Sequence, residues 1–281
     1  SFLSHMIMRL ESEQSVKEYL DIMDHRKTEQ LIDTLDKVEQ NRKECYIREF
    51  SIEHFHDSKV FETLIPKICK IFREENEELT GFENEEILAE YQIYKTPGYV
   101  YMKGNVQIYS AGKQAADISA FPEGIAVAVG SEEDVPDNCP DQTIDKVFTI
   151  ENLTSFYRFK QEHSLVIYLG GYHNHSRRNL LMQIYQKYME AQYYHFGELD
   201  AGGFYILEHL KRKTGIPFQM FQMDIETLKK YEDYAKPLTE NDKKRLMQLE
   251  KMELPDEERK LITYMLQKGI KLEQECISES Q

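Results

Sequence analysis

The chain has 281 residues, 41% hydrophobic and 30% charged, with 50 acidic against 35 basic side chains and a formal charge of −15. That length buries a core without staples and suits two domains. The acidic balance excludes a protein that coats DNA with its whole surface, because phosphate neutralisation needs Lys and Arg. A DNA target stays compatible with this charge where bound metal offsets an acidic site and basic segments or partner subunits supply the grip; otherwise charge favours no nucleic acid. No apolar run approaches the ~20 residues of a membrane span, and no signal-peptide pattern is present. The four cysteines lack C-x-x-C or His-paired spacing, so they read as reduced thiols of a cytoplasmic protein without zinc.

Residues 1–5, within the opening SFLSHM, read as an expression-vector remnant with native sequence from Met6. Residues 1–44 form a helical N-terminal segment: Val16, Leu20 and Met23, then Leu31, Leu35 and Val38, fall at three- and four-residue steps. Residues 46–52 alternate as a strand, and 54–72 follow as a helix. Asp57 or Ser58 caps that helix, and Lys59 near its start either reaches a phosphate or is an ordinary surface lysine. After a break at Thr96-Pro97-Gly98, residues 99–102 and 106–109 read as strands of a hairpin turning over Lys103-Gly104-Asn105. Lys103 is the second phosphate candidate. Residues 45–130 thus read as a small winged-helix-like α+β module. Residues 131–145, acidic with two prolines, are the linker.

From residue 146 the rhythm changes to strand-helix alternation. Residues 146–150 (KVFTI), 164–171, 193–199 and 218–223 read as strands, with helices between them and three more after Asp224. Short connections and regular alternation predict a parallel, Rossmann-like α/β sheet over 146–281. The strand at 193–199 ends in Glu198 and Asp200, which point to one side, before Ala201-Gly202-Gly203 turns into a helix. Glu151 ends the strand at 146–150. For the three acids to meet, the strands must lie in the order 2-1-3-4. Three clustered carboxylates repel, by about 4 kcal/mol for a pair ~4 Å apart at an effective dielectric of 20, and a divalent cation relieves this. Magnesium fits best, with manganese as an alternative. The competing reading is a solvated acidic loop. Asp224 ends a neighbouring strand as a further metal ligand or as a helix cap. The loop 170–178 carries His173 and His175, candidates for a general acid or phosphate contacts, and Arg177 and Arg178, candidates for a phosphate clamp. An exposed polar loop is the plainer account.

A glutamate after one strand and D-x-D after a later one resembles the Toprim fold of topoisomerases, primases and nucleases. GELDAGGFYILEHL, IENLTSF, LVIYLGGYHNHS, REFSIEHFHDSK and the terminal LEQE together resemble the JetD subunits of Wadjet anti-plasmid systems, from about Arg48 onward. The resemblance implies a Toprim-like domain related to that of the topoisomerase VI A subunit. It also implies a magnesium-dependent endonuclease cutting double-stranded DNA, working as a homodimer beside SMC-like ATPase subunits. Glu151 would be metal ligand and general base, and Glu198 and Asp200 metal ligands. The chain departs from D-x-D in having glutamate at 198, which sets a ligand about one methylene further out. Two other classes stay open: a catalytically degenerate scaffold or DNA-binding protein, and a transesterase using one of the 18 tyrosines, such as Tyr91, Tyr94, Tyr99 or Tyr101. Glu273 and Glu275 carry no chemistry beyond a helix-end charge cluster.

Overall fold

The computed structural model describes residues 2–76, 79, 82–95, 99–110, 113–128, 136–138, 143–170 and 175–277. They belong to two compact units, Ser1–Pro97 and Gly98–Gln281.

The first unit holds α1 (Phe2–Glu11), α2 (His25–Gln40), β1 (Cys45–Tyr46), α3 (Ile47–Phe55), α4 (Val60–Glu75), α5 (Asn84–Glu90) and β2 (Ile93–Tyr94). Asp24 caps α2 by accepting from the Lys27 N–H at 3.1 Å, and Leu31, Leu35 and Val38 are its buried stripe. The strand expected at 46–52 is a helix instead. The Glu49 carboxylate accepts from Tyr46 N–H at 2.8 Å and closes the first turn of α3, while Ile47, Phe50 and Ser51 bury at helical spacing. Tyr46, Phe50 and Ile52 alternate as in a strand while Ile47 and Phe50 fall at helical spacing, and the cap decided between them. Between α3 and α4, Asp57 accepts from Lys59 N–H at 2.7 Å and Ser51 Oγ accepts from Phe61 N–H at 3.1 Å. Asp57 thus orders the turn but does not cap the helix as expected of it or Ser58: the N-cap of α4 is Lys59, which makes no side-chain capping bond and is exposed.

The second unit carries β3 (Tyr99–Gly104), β4 (Val106–Ser110), β5 (Lys113–Asp117), β6 (Ile125–Ala128), β7 (Pro136–Asn138), β8 (Lys146–Ile150), α6 (Leu153–Arg158), β9 (Ser164–Tyr168), α7 (His175–Lys187), β10 (Gln192–Phe196), α8 (Ala201–Thr214), β11 (Gln219–Met220), α9 (Ile225–Lys230), β12 (Lys236–Pro237), α10 (Glu240–Leu249), α11 (Asp256–Lys268) and β13 (Ile270–Lys271). Its principal sheet has six strands in the order β11-β10-β8-β9-β3-β6. β9, β8, β10 and β11 run parallel in the 2-1-3-4 order expected, and β3 and β6 add antiparallel to one side. The fold is therefore α/β with a mixed sheet. Both faces are covered, which is why its central strands are almost continuously apolar. Phe148, Ile150, Val166 and Phe196 pack toward α8, α10 and α11 on one side. Val147, Leu165, Ile167 and Tyr193 pack with Leu180, Leu181 and Ile184 of α7 on the other. Lys211 of α8 bridges Glu208 and the buried Glu258 of α11, tying those two helices together.

The hairpin expected across Lys103-Gly104-Asn105 does not form. β3 pairs with β6 and β9, whereas β4 pairs with β5 and β7 in a separate three-stranded sheet. Gly104, at φ +129°, carries the chain from one sheet to the other, pressed so closely on β9 that a Cβ there would lie 2.1 Å from the Ser164 carbonyl oxygen. Burial of Val100 and Met102 among Leu165 and Ile167 draws β3 into the larger sheet. Among the described residues no helix is long and apolar enough to cross a membrane. Cys45 and Cys69 are buried free thiols and Cys276 is a half-buried one; Cys139 lies outside the described residues.

The Gly104→Ala substitution should destabilise the second unit by about 1–3 kcal/mol through this backbone clash and the positive φ. It should read out as a lower urea midpoint with an unchanged m-value; a wild-type midpoint would mean that the crossing from β3 to β4 relaxes freely.

Candidate functional site: the acidic edge of the parallel sheet

Parallel pairing of β8 with β10 sets Ile150 opposite Phe196, so the residues after each strand emerge together at the carboxyl edge. The ladder continues one step further, with Glu151 N–H donating to the Phe196 carbonyl at 3.1 Å. In return the Glu151 carboxylate reaches over and accepts from Glu198 N–H at 3.2 Å. The two strand ends are thereby latched to each other by their own acids. Gly197 makes room for this, since a Cβ there would come within 2.8 Å of both Glu151 Oε2 and His195 Nε2. Asp200 accepts from Gly203 N–H at 2.9 Å and caps α8. Gly203 in turn sits against the backbone of Glu198, where a Cβ would lie 2.2 Å from the carbonyl oxygen. Only a glycine permits that approach.

A third segment completes the edge. Leu272 exchanges two backbone hydrogen bonds with Leu199, at 3.0 and 3.1 Å. Gln274, fully buried, then joins everything. Its N–H donates to Glu198 Oε2 at 2.7 Å, its side-chain amide donates to the Phe196 carbonyl at 2.9 Å, and its side-chain oxygen accepts from Asn152 N–H at 2.8 Å. Asn152 caps α6 with its oxygen and donates from its amide to Glu275 at 2.6 Å. The terminal LEQE is therefore a clamp across both acidic strand ends. Sequence reasoning weighed its two glutamates and passed over the glutamine between them. A buried polar side chain in an acidic run has no periodic signature.

Glu198 is half-buried and its carboxyl is pushed up to about 7. Loss of solvation is the main cause, opposed by the Gln274 N–H and reinforced by the charges of Asp200, Glu275 and Glu273. Beneath it lies His195, fully buried. Its Nδ1 shares a 3.0 Å hydrogen bond with Thr149 Oγ1, and burial drives it down to about 3, so the ring is neutral near pH 7. Its Nε2, buried without a hydrogen-bond partner, presses against Gly197 beside Glu151 Oε2. This histidine, inside the strand YYHF, was also not singled out from sequence.

The other expected residues are spread more widely. Asp224 is exposed and accepts from Thr227 N–H at 2.7 Å, so it caps α9 as the plainer reading had it. Arg177 donates to the Leu169 carbonyl at 2.6 Å, and Arg178 is buried on α7. His173 lies outside the described residues, and His175 opens α7 with its side chain likewise undescribed. Lys103 is turned inward instead of toward a phosphate: it is 5% exposed, donates to the Tyr157 carbonyl at 3.1 Å and stands 4.9 Å over the Phe156 ring. Of the tyrosines, Tyr91 stacks on Phe72, and burial lifts its hydroxyl to about 12, opposite to what a nucleophile needs. Tyr94 is buried, Tyr101 packs edge-on against Tyr168, and Tyr99 is exposed.

The donor set of Glu151, Glu198 and Asp200 has the chemistry of a site for a hard divalent cation, all carboxylate oxygen. The spacing is not that of a formed metal centre. Each carboxylate is tied to a different backbone N–H, and among the described residues no group of three or more His, Cys, Asp or Glu is gathered to hold a metal ion.

Two outcomes follow from this geometry. Because the folded protein keeps the Glu198 proton to about 7 while the unfolded chain loses it near the ordinary carboxylate value, its contribution to stability is full at low pH and lost as pH rises through about 7. Relative to wild type, Glu198→Gln should therefore gain stability between pH 5 and pH 8 in urea melts; parallel curves would place Glu198 at an ordinary carboxyl value. Gln274→Ala strands the Asn152 N–H, at about 1–3 kcal/mol for a buried group left unpaired, and removes one of the two donors to the Phe196 carbonyl. It should lower the urea midpoint more than Glu273→Ala, whose exposed pair with Lys236 is worth little.

Two comparisons bear on identity. Residues 133–281, more than half of the chain, match the family model described as Wadjet protein JetD, C-terminal. A Wadjet protein JetD of Bacillus cereus (strain Q1) is 28% identical over 263 residues, which cover 92% of this chain and 63% of that protein. The chain thus spans less than two thirds of the length of that relative. The family match takes in both acidic strand ends and the LEQE clamp that joins them, and on it the chain belongs to the JetD family.

Proposed function

We propose that this chain is the nuclease part of a Wadjet-type plasmid-defence complex, a Toprim-like endonuclease that hydrolyses phosphodiesters of double-stranded DNA. The observation that carries this reading is the latch between Glu151 and the backbone of Glu198, which brings acids from neighbouring parallel strands to one edge. In an open α/β sheet, ligands bind at the carboxyl ends of the strands, and here those ends are β8 and β10 on either side of their junction. Family membership supports the reading, as does the 2-1-3-4 order of the parallel strands.

In this reading Glu151, Glu198 and Asp200 hold magnesium or manganese, which supplies Lewis-acid stabilisation of the phosphate oxygens when bound. Glu151, held in place by the Glu198 N–H, is the base toward the attacking water. Glu198, with a carboxyl at about 7, is poised between its two protonation states near neutral pH. It must be ionised to ligate. A homodimer, with one site for each strand of the duplex, and association with SMC-like ATPase subunits complete the proposal. A second reading, a scaffold with a degenerate site, draws on the carboxylates that are not gathered to metal-binding distance.

A plasmid-nicking assay with magnesium or manganese, run with partner subunits present, separates the two. Glu151→Ala and Asp200→Ala should each reduce cutting by about 100-fold or more, and EDTA should abolish it. Cutting should weaken as pH falls below about 7, with the midpoint moving lower as magnesium is raised, because a cation favours the carboxylate form. Absent cutting in the wild type would select the scaffold, and metal-independent cutting would overturn both readings.

A further inference from the structure

β9 lies on the far side of β8 from β10, so its end flanks Glu151 away from Glu198. Ile150 pairs with Tyr168, and Leu169 N–H donates to the Ile150 carbonyl at 2.7 Å, which brings Tyr168 to the carboxyl edge beside Glu151. The Tyr168 ring is held by Tyr101, edge-on at 5.9 Å, and by Phe156, tilted at 6.1 Å between ring centres. Its hydroxyl is placed differently. Tyr168 is half-buried, and among the described residues the hydroxyl has no hydrogen-bond partner and is not enclosed. Gly170, at φ +69°, stands against it, and a Cβ there would crowd the oxygen from 3.2 Å. Arg177, in the first turn of α7, is anchored on the neighbouring Leu169 carbonyl at 2.6 Å. Burial holds the Tyr168 hydroxyl above the ordinary phenol value, with Arg177 opposing and Tyr101, Glu151 and Tyr157 reinforcing. It is therefore a neutral donor near pH 7, and the guanidinium acts on it more strongly than the carboxylate does.

A ring that only filled the core would have no use for this oxygen, since phenylalanine packs as well. An open O–H beside a guanidinium suits an oxyanion, for which both are donors. Neighbouring strands lie about 4.8 Å apart, so an oxyanion there is within a strand's width of the acids. We propose that Tyr168 is a DNA-contact residue, its hydroxyl donating to a phosphate oxygen of the strand being cut, with Arg177 beside it. This rests on the nuclease reading and adds a backbone contact to the same site. The acids take the cation, and the end of β9 takes the phosphate. Such contacts fix register and orientation without reading sequence, so Tyr168 would set how the strand lies against Glu151 whatever its bases.

The test is binding of a fluorescently labelled DNA duplex by the full chain, read by anisotropy across a salt series, in EDTA and again in calcium. Calcium is a hard cation for the same oxygen ligands. Tyr168→Phe keeps the ring and should weaken binding about tenfold, as expected for one lost hydrogen bond to a charged group. Its urea midpoint should match the wild type, because the hydroxyl loses no partner within the protein. Its salt dependence should also be unchanged, since a neutral donor releases no counterion. Arg177→Gln should instead lessen the slope of log affinity against log salt by about one. Unchanged affinity in Tyr168→Phe, a loss matched by a lower urea midpoint, or no DNA binding by the wild type in either condition would overturn the proposal. Displacement of the duplex by inorganic phosphate from the wild type but not from Tyr168→Phe would assign the hydroxyl to a free anion and overturn it as well. Failure of the nuclease reading alone would show as weakened binding in Tyr168→Phe without metal-dependent cutting by the wild type.

Discussion

The parallel register of β8 and β10 is the constraint on which the rest of the acidic edge depends. Ile150 opposite Phe196 fixes where each strand stops, and the Glu151 carboxylate therefore meets the backbone N–H of Glu198, 47 residues away in sequence. A shift of one residue would turn Phe148 and Ile150 to the opposite face and expose the wrong side chains at the edge. The hydrophobic core on both faces of the sheet forbids that shift. Site geometry is thus a by-product of core packing.

Backbone hydrogen bonds ease the repulsion among the acids. Glu151, Glu198 and Asp200 each accept from a backbone N–H contributed by a different stretch of chain. Backbone donors fix position while adding no net positive charge. Loss of solvation, reinforced by the charges of Asp200, Glu275 and Glu273, lifts the Glu198 carboxyl to about 7 against the pull of the Gln274 N–H. A cationic side chain in the same place would have lowered that value and weakened the pull on a divalent cation. The chain keeps its lysines for other work, as with Lys211 between α8 and α11 and Lys103 over Phe156.

The clamp formed by Leu272 and Gln274 couples the end of the described chain to the edge. Residues beyond α11 return across the sheet to satisfy Phe196, Asn152 and Glu198 together. Losing that segment would leave strand-end groups unpaired, so the edge and the last helices stand or fall together. A cleft lies on the same seam, since Glu275 contributes to its lining and is bonded to Asn152.

Much of this was legible in the residues alone. Apolar runs of strand length alternating with helical patterns predicted a parallel core, and the expected meeting of the acids at 151 and 198 made their two strands neighbours, as they are in the 2-1-3-4 order. Glycines at 202 and 203 marked the tight entry to α8, whereas Asp224 stayed open between metal ligand and helix cap until its bond to Thr227 N–H made it a cap. What tertiary structure alone decided were the contacts between segments distant in sequence. Residues 99–109 carried a good hairpin signal, yet burial of Val100 and Met102 against β9 outweighed the local turn and split the pair between two sheets. Residues 46–52 satisfied both strand and helix periods until Glu49 capped the turn. Gln274 and His195 were silent for the same reason: a buried polar side chain is defined by its partners, and those partners are chosen only when the chain has folded.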